Sequence, residues 1–307
     1  MFVRIRKNWD IPEREATPES IVMNRRELLA AAGFLGSPSL LAAKQDPYPA
    51  KRNPKFQIDG PVTEEEHATG YNNFYEFDGR DKKAVRSKVD KFVTRPWTFE
   101  VTGLVRKPGN FDIDRLERTM PLEERLYRFR CVEAWSMAVP WTGFPISALI
   151  KLVQPNSEAK YVRFVSVARP DQMPGIATQP WYPFPYYEAL RMDEAMNPLA
   201  MLVTGMYGKP LPKQNGAPIR VIVPWKYGYK SPKSLVKIEF TAEQPKTFWN
   251  DLQRKEYGFY SNVNPQKPHP RWSQANEKVL PTMELRPTLL YNGYEKEVGS
   301  LYDGAEF

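Results

Sequence analysis

Cys131 is the only cysteine among 307 residues. It sits in Tyr127-Arg128-Phe129-Arg130-Cys131-Val132-Glu133-Ala134-Trp135, with arginines one and three positions before it. A thiolate is a nucleophile and a soft metal ligand, and nearby guanidinium charge favours it over the thiol. The spacing therefore predicts a Cys131 thiolate stabilised by Arg128 and Arg130, unless strand alternation turns both arginines to solvent. A lone cysteine excludes intrachain disulfide exchange and an all-cysteine iron–sulfur cluster. His67 and His269 are the only histidines, which argues against a zinc or iron site built on several imidazoles. A Cys–His hydrolase could still draw on either, but no nucleophile elbow is present. Two readings of Cys131 remain, a buried inert thiol and a thiol that holds a metal, and the rest of the chain favours the metal.

The second chemical signal is Arg220, inside Ile219-Arg220-Val221-Ile222-Val223. An unpaired guanidinium in an apolar strand is costly, so Arg220 has either a buried carboxylate partner or a bound anion. Gln214-Asn215-Gly216 leads into this strand, and Lys226, Lys230, Ser231, Pro232, Lys233 and Ser234 follow it. Such a loop either cradles a phosphate or is a solvated basic turn. There is no Walker loop and no dinucleotide-binding glycine fingerprint.

The N-terminal region reads as an export signal. Arg25-Arg26 opens a weakly apolar run that ends at Ala42-Ala43, the layout of a twin-arginine signal with a cleavage region. The alternative, an amphipathic first helix, is opposed by Gly33, Gly36 and Pro38. The run is too short and interrupted to span a bilayer. Twin-arginine export carries folded proteins, so Cys131 would meet its ligand in a reducing compartment and leave already protected. Outside the cytoplasm a bare thiol tends to oxidise.

Those residues need a scaffold. Net charge is +8 without long basic runs, which gives nucleic-acid binding little support. The 30 prolines indicate many irregular loops. Alternation predicts strands at 97–101 and 126–131, the latter placing Tyr127, Phe129 and Cys131 on one face. Further strands are expected at 161–167, 219–223 and 235–240, and helical spacing at 145–153 and 187–196. Strands outnumber helices, which predicts a mixed, sheet-rich α+β fold in a single domain. The chain is expected to divide into a signal at 1–43, an extended arm at 44–60 and one folded domain at 61–307.

Several uncommon strings then carry a resemblance: Gly70-Tyr71-Asn72-Asn73-Phe74-Tyr75-Glu76-Phe77, Tyr127 to Met137, Gln214 to Tyr229, Tyr257 to Pro265, and His269-Pro270-Arg271-Trp272-Ser273-Gln274. Together they resemble the molybdopterin-binding domain of the sulfite oxidase family, and within it the catalytic subunits of periplasmic protein-methionine-sulfoxide reductases. The resemblance runs from about residue 60 to the C-terminus. It implies a molybdenum–molybdopterin cofactor, one per chain, with Cys131 as the protein sulfur on the metal. It matches Asn73 and Glu133 to positions facing the metal. Asn72, Tyr75, Glu76 and Ser166 match positions that contact the cofactor, and Asn215 and Arg220 match pterin-phosphate ligands. Ser231, Pro232 and Lys233 match the loop that closes on it. Pro232 departs from the pattern because it has no N–H to donate, leaving Ser231 and Lys233 as donors. Taken alone, Asn72 and Asn73 read as turn residues, Tyr75 as core, and Glu76 and Glu133 as surface carboxylates.

The resemblance further implies a monomeric periplasmic subunit that reduces methionine sulfoxide in oxidised periplasmic proteins. Electrons would come from a membrane-embedded haem b subunit that draws on quinones. Two alternatives are a sulfite-oxidising enzyme on the same fold and an envelope binding protein with an inert Cys131.

Overall fold

The computed structural model describes residues 46–303; the expected signal lies outside them. Twelve strands form two sheets among these residues. In the order in which they follow one another the strands are β1 (Thr98–Gly103), β2 (Gly109–Asp112), β3 (Glu123–Arg130), β4 (Trp135–Pro145), β5 (Tyr161–Ser166) and β6 (Tyr187–Arg191), then β7 (Met201–Met206), β8 (Lys209–Pro210), β9 (Arg220–Ile222), β10 (Leu235–Thr241), β11 (Asn276–Val279) and β12 (Glu284–Pro287). One sheet has the order β2-β1-β10-β5-β6, antiparallel except where β1 meets β10. The other runs β12-β11-β4-β7-β8, with β3 also on β4 and β9 also on β7. Short helices fill the connections: α1 (Glu65–Gly70), α2 (Ile113–Thr119), α3 (Ile146–Val153), α4 (Pro174–Thr178), α5 (Met192–Met196), α6 (Phe248–Leu252) and α7 (Glu295–Val298).

Strand β4 is the spine of the second sheet. All of Trp135 to Phe144 is buried, as expected of a strand covered on both faces. Its neighbour β7 is buried along its full length. In the first sheet β1 alternates, with Phe99 and Val101 inside and Glu100 outside, the period-2 pattern of a half-covered strand. Helix α3 buries Ile146, Leu149, Ile150 and Val153 on one stripe and stops at Gln154, which adopts a left-handed conformation at φ 55°. The start of the described chain lies along β3. Asn53 donates its N–H to Glu124 O, Glu124 donates to Lys51 O, and Tyr48 is buried with its hydroxyl on Thr204.

Two expectations are corrected here. The stretch 187–196 is not one helix. Tyr187 to Arg191 pairs with β5 as strand β6, and α5 begins only after Arg191, whose extended backbone is capped by the Glu194 carboxylate. Ten residues of mixed period suit either element, and the open edge of β5 decides. The second face of β3 does not meet solvent either. Strands β11 and β12 close over that end, and Arg130 is fully buried.

Candidate active site

Strands β3 and β4 form a hairpin whose tip is Cys131 to Ala134. Cys131 N–H donates to Trp135 O at 2.9 Å, Ala134 N–H returns to Cys131 O at 3.1 Å, and Ala134 is left-handed at φ 66°. This conformation is uncommon for a residue with a Cβ, and it aims Cys131 into a cleft. The Cys131 Sγ receives Asn73 Nδ2 at 3.3 Å and the Glu133 N–H at 3.4 Å. Glu133 Oε2 also accepts from Asn73 Nδ2 at 3.1 Å and from Trp135 Nε1 at 3.3 Å, and pairs with Lys82 Nζ at 2.9 Å.

The arginines beside Cys131 do not do what their spacing suggests. Burial first, and then the Glu133 charge, push the thiol up to about 12, against weaker opposing pulls from Arg130 and Lys82. Arg130 is committed elsewhere. Its guanidinium reaches Glu277 Oε2 at 3.1 Å, Gln274 Oε1 at 2.8 Å, Thr288 Oγ1 at 3.3 Å and the Cys131 carbonyl. Arg128 and Arg286 donate to the other oxygen of the same glutamate. The next peptide is held too, because Trp272 Nε1 and Gln274 Nε2 both donate to Val132 O at 2.7 Å. The arginines therefore build the wall behind the hairpin tip and leave its thiol protonated in the bare protein.

The other end of the cleft is built around Arg220. Its guanidinium donates only to backbone carbonyls, Asn215 O at 2.8 Å, Ser231 O at 3.2 Å and Val221 O at 3.4 Å. The Trp141 and Phe129 rings lie 5.1 and 5.7 Å away. Among the described residues it has no carboxylate partner, and burial alone lowers it to about 9. Around it, Asn215 Nδ2 donates to Asn72 Oδ1 and Ala68 O, both at 3.1 Å. The Asn215 Oδ1 and Ser166 Oγ atoms are buried with no hydrogen-bond partner. Lys233 Nζ donates to Asn73 O at 2.8 Å. Burial, then the Arg220 charge, bring Lys233 down to about 7, while burial brings Glu76 up to about 7. Glu76 is buried, so its reading as a surface carboxylate does not hold. Gly175 keeps its backbone against this segment, where a Cβ would meet Tyr75 O at 2.3 Å.

One cleft with about 940 Å³ of atom-free space is lined by all twelve residues picked out from the sequence. The loop after β9 differs in one respect from expectation. The Ser231 N–H is already bonded to Gly228 O, and the Ser231 hydroxyl accepts from Val223 N–H, so its backbone donor is not free. Sequence reasoning missed Lys82, whose setting, Asp81-Lys82-Lys83, reads as a solvated charge run. It also missed Trp249, which carries no local signal that sets it apart from core aromatics, and Tyr257, which opens one of the family strings without a role attached; both line the cleft.

Residues 85–249 match the family described as oxidoreductase molybdopterin binding domain. The catalytic subunit MsrP of the protein-methionine-sulfoxide reductase of Burkholderia mallei is 50% identical over 97% of this chain and 94% of that protein. The corresponding subunit of Pseudomonas syringae pv. tomato is 46% identical over 99% of this chain and 98% of that protein. The chain belongs to the MsrP family of molybdopterin-binding oxidoreductases. The sulfane dehydrogenase SoxCD of Paracoccus pantotrophus aligns at 17% identity over 50% of this chain and 40% of that one, with a TM-score of 0.42.

The α+β domain is the molybdopterin-binding fold of the MsrP family, and its cleft can be tested against the cofactor on its own chemistry. Among the described residues, a buried arginine without a carboxylate, two orphaned polar atoms and a lysine pushed toward neutrality are the chemistry that suits a bound anion. A single soft sulfur at the opposite end is the donor a molybdenum centre needs from protein. The donor set fits the group.

Proposed function

We propose that the chain is a molybdopterin enzyme that reduces methionine sulfoxide in oxidised proteins. The observation that carries this reading is the pairing, in one cleft, of the lone cysteine with a buried arginine that has no counter-charge among the described residues. When bound, the molybdenum cofactor supplies the two-electron oxygen-atom transfer; the overall reaction takes up two electrons and two protons and releases water. Cys131 gives its sulfur to the metal, and the hairpin tip fixes its direction. The raised thiol pKa means that metal binding must displace a proton. Asn73 and Glu133, held by Lys82, flank the sulfur. Asn72, Tyr75, Glu76, Ser166, Asn215, Arg220, Ser231, Pro232 and Lys233 hold the pterin and its phosphate. One cofactor per chain fits the single cysteine.

Sulfite oxidation on the same fold is favoured less. Sulfite is a dianion and wants converging guanidinium groups at the metal. Arg220 is the one arginine lining the cleft among the described residues, and the carboxylate of Glu133 lies beside Cys131. The paired Arg25-Arg26 supports export of the folded protein to the periplasm by the twin-arginine route. Among the described residues no helix is long and apolar enough to cross a membrane. A membrane-embedded haem b subunit that draws on quinones is the proposed electron donor.

The test is molybdenum and pterin content of the protein purified from the periplasmic fraction, followed by assay on methionine sulfoxide and on sulfite. Equimolar metal and pterin with sulfoxide turnover is the expected result. Cys131→Ala should fold and lose both molybdenum coordination and turnover; normal kinetics in that variant would remove the thiolate from the mechanism.

A further inference from the structure

Trp181 is 57% exposed, an unusual position for so large an apolar side chain. From it a run of rings leads inward. Trp181 lies 6.0 Å from Tyr182, which lies 5.4 Å from Tyr75 and 5.8 Å from Trp249. Tyr75 and Trp249 meet edge-to-face at 5.2 Å, and Trp249 is 5.2 Å from Tyr257. Tyr75, Trp249 and Tyr257 line the same cleft as Cys131. Tyr75, Tyr182 and Trp249 are half-buried, unlike the neighbouring core aromatics Phe74, Phe77 and Phe92, which are closed to solvent.

The wall is preset. Gln179 Nε2 holds Tyr75 O at 2.7 Å, and Asn250 Nδ2 holds Tyr257 O at 2.7 Å. Tyr187 anchors α6, which carries Trp249, through Asp251 at 2.7 Å. Gly79 leaves no spare room behind it, since a Cβ there would come within 2.8 Å of the Tyr75 ring.

We infer that this wall determines specificity for the sulfoxide side chain: Trp249 and Tyr257 grip it beside the Tyr75 ring, and Trp181 with Tyr182 carries the polypeptide on either side of it. The inference rests on the reductase reading above. A methionine sulfoxide side chain is a neutral dipole with a methyl and a methylene on sulfur, groups that pack well on aromatic edges and faces. An inorganic anion gains nothing from the negative faces of five rings. Cys131 is only 6% exposed, so a protein-borne substrate reaches it by inserting one side chain while its backbone stays on the rim.

The experiment uses the molybdenum-loaded protein with two substrates, a short peptide carrying one methionine sulfoxide and free dimethyl sulfoxide. Trp249→Ala should raise KM for the peptide about tenfold, equivalent to about 1.4 kcal/mol, with kcat changed much less. Trp249→Phe should recover most of that loss. Trp181→Ala, on the surface and safe for folding, should raise KM by about threefold for the peptide, and by less for dimethyl sulfoxide. Anisotropy of a labelled sulfoxide peptide, read without reductant, should weaken by the same factors. Equal effects of Trp181→Ala on both substrates, or a loss in Trp249→Ala confined to kcat, would overturn the role of the wall. Wild-type protein that reduces neither substrate overturns the reductase reading itself, before any variant is made.

Discussion

Arg130 and Arg220 are the same residue type, each sealed from water beside one cleft, and they are held by opposite means. Arg130 faces a glutamate shared with Arg128 and Arg286, plus an amide, a hydroxyl and a carbonyl. Arg220 faces three backbone carbonyls and two aromatic rings. Carbonyls satisfy the N–H groups of a guanidinium but leave its charge without a counter-ion, a cost on the order of several kcal/mol. A fold keeps such a group when something outside the chain completes it. The comparison separates the cleft into a finished wall, which backs Cys131, and an unfinished one, whose unpaired charge suits a bound anion.

The sharpest way to break this contrast is to damage the finished wall. Glu277→Ala strands three guanidinium groups, one of them fully buried. Removing one partner of a buried ion pair typically costs about 3–5 kcal/mol. A large drop in denaturation midpoint is therefore expected, together with poor molybdenum loading because the Cys131 hairpin loses its backing. A midpoint within experimental error of the wild type would show that Arg130 does not need the glutamate.

Arg220→Met should do the reverse. In cofactor-free protein it removes an uncompensated charge, so the denaturation midpoint should stay level or rise. In loaded protein it removes a charge-assisted bond to phosphate worth about 1.5–3 kcal/mol, so pterin retained after dialysis should fall by about ten- to a hundredfold. A variant that loses stability without cofactor, yet retains pterin, would place Arg220 among the structural arginines instead.

Which parts of this contrast could be read beforehand follows from the range of each interaction. The strands at 97–101, 161–167, 219–223 and 235–240 show in the sequence because alternation and β-branching are local. Cys131 and Arg220 also show, because a lone thiol and a charge in an apolar strand are anomalies in any context. Asn72, Tyr75, Glu76, Ser166 and the others are unremarkable by themselves, and only the family strings single them out. What stayed hidden was long-range. Glu277 lies 147 residues from Arg130, and nothing near either residue announces the pair. Without it Arg130 looks free to activate the thiol, and burial, which decides the Cys131 pKa, leaves no mark on a sequence. Lys82 was lost for the same reason, since only the fold brings it to Glu133. The split at Arg191 shows tertiary pairing overriding a local period.

The smallest effect concerns protons on the unfinished side. In the cofactor-free protein Lys233 is lowered to about 7 and Glu76 is raised to about 7, burial being the first cause for each. For folding, the two oppose one another. The Lys233 contribution is present above the ordinary lysine range and lost as pH falls through 7. The Glu76 contribution is present below the ordinary carboxylate range and lost as pH rises through 7. For binding they add. A phosphate dianion beside Lys233 favours its ammonium form and also disfavours an ionised Glu76, so the complex takes up protons above pH 7. Cofactor retention should accordingly weaken several-fold between pH 7 and pH 9, with one linked proton allowing at most about tenfold per pH unit. The reading belongs above pH 7 because the phosphate's own second ionisation, near pH 6, interferes below it. Lys233→Met should flatten most of this dependence while lowering retention at pH 7. A wild-type profile that is flat from pH 7 to pH 9 would mean that the lysine already holds its proton in the bare cleft, and that Arg220 alone leaves this wall unfinished.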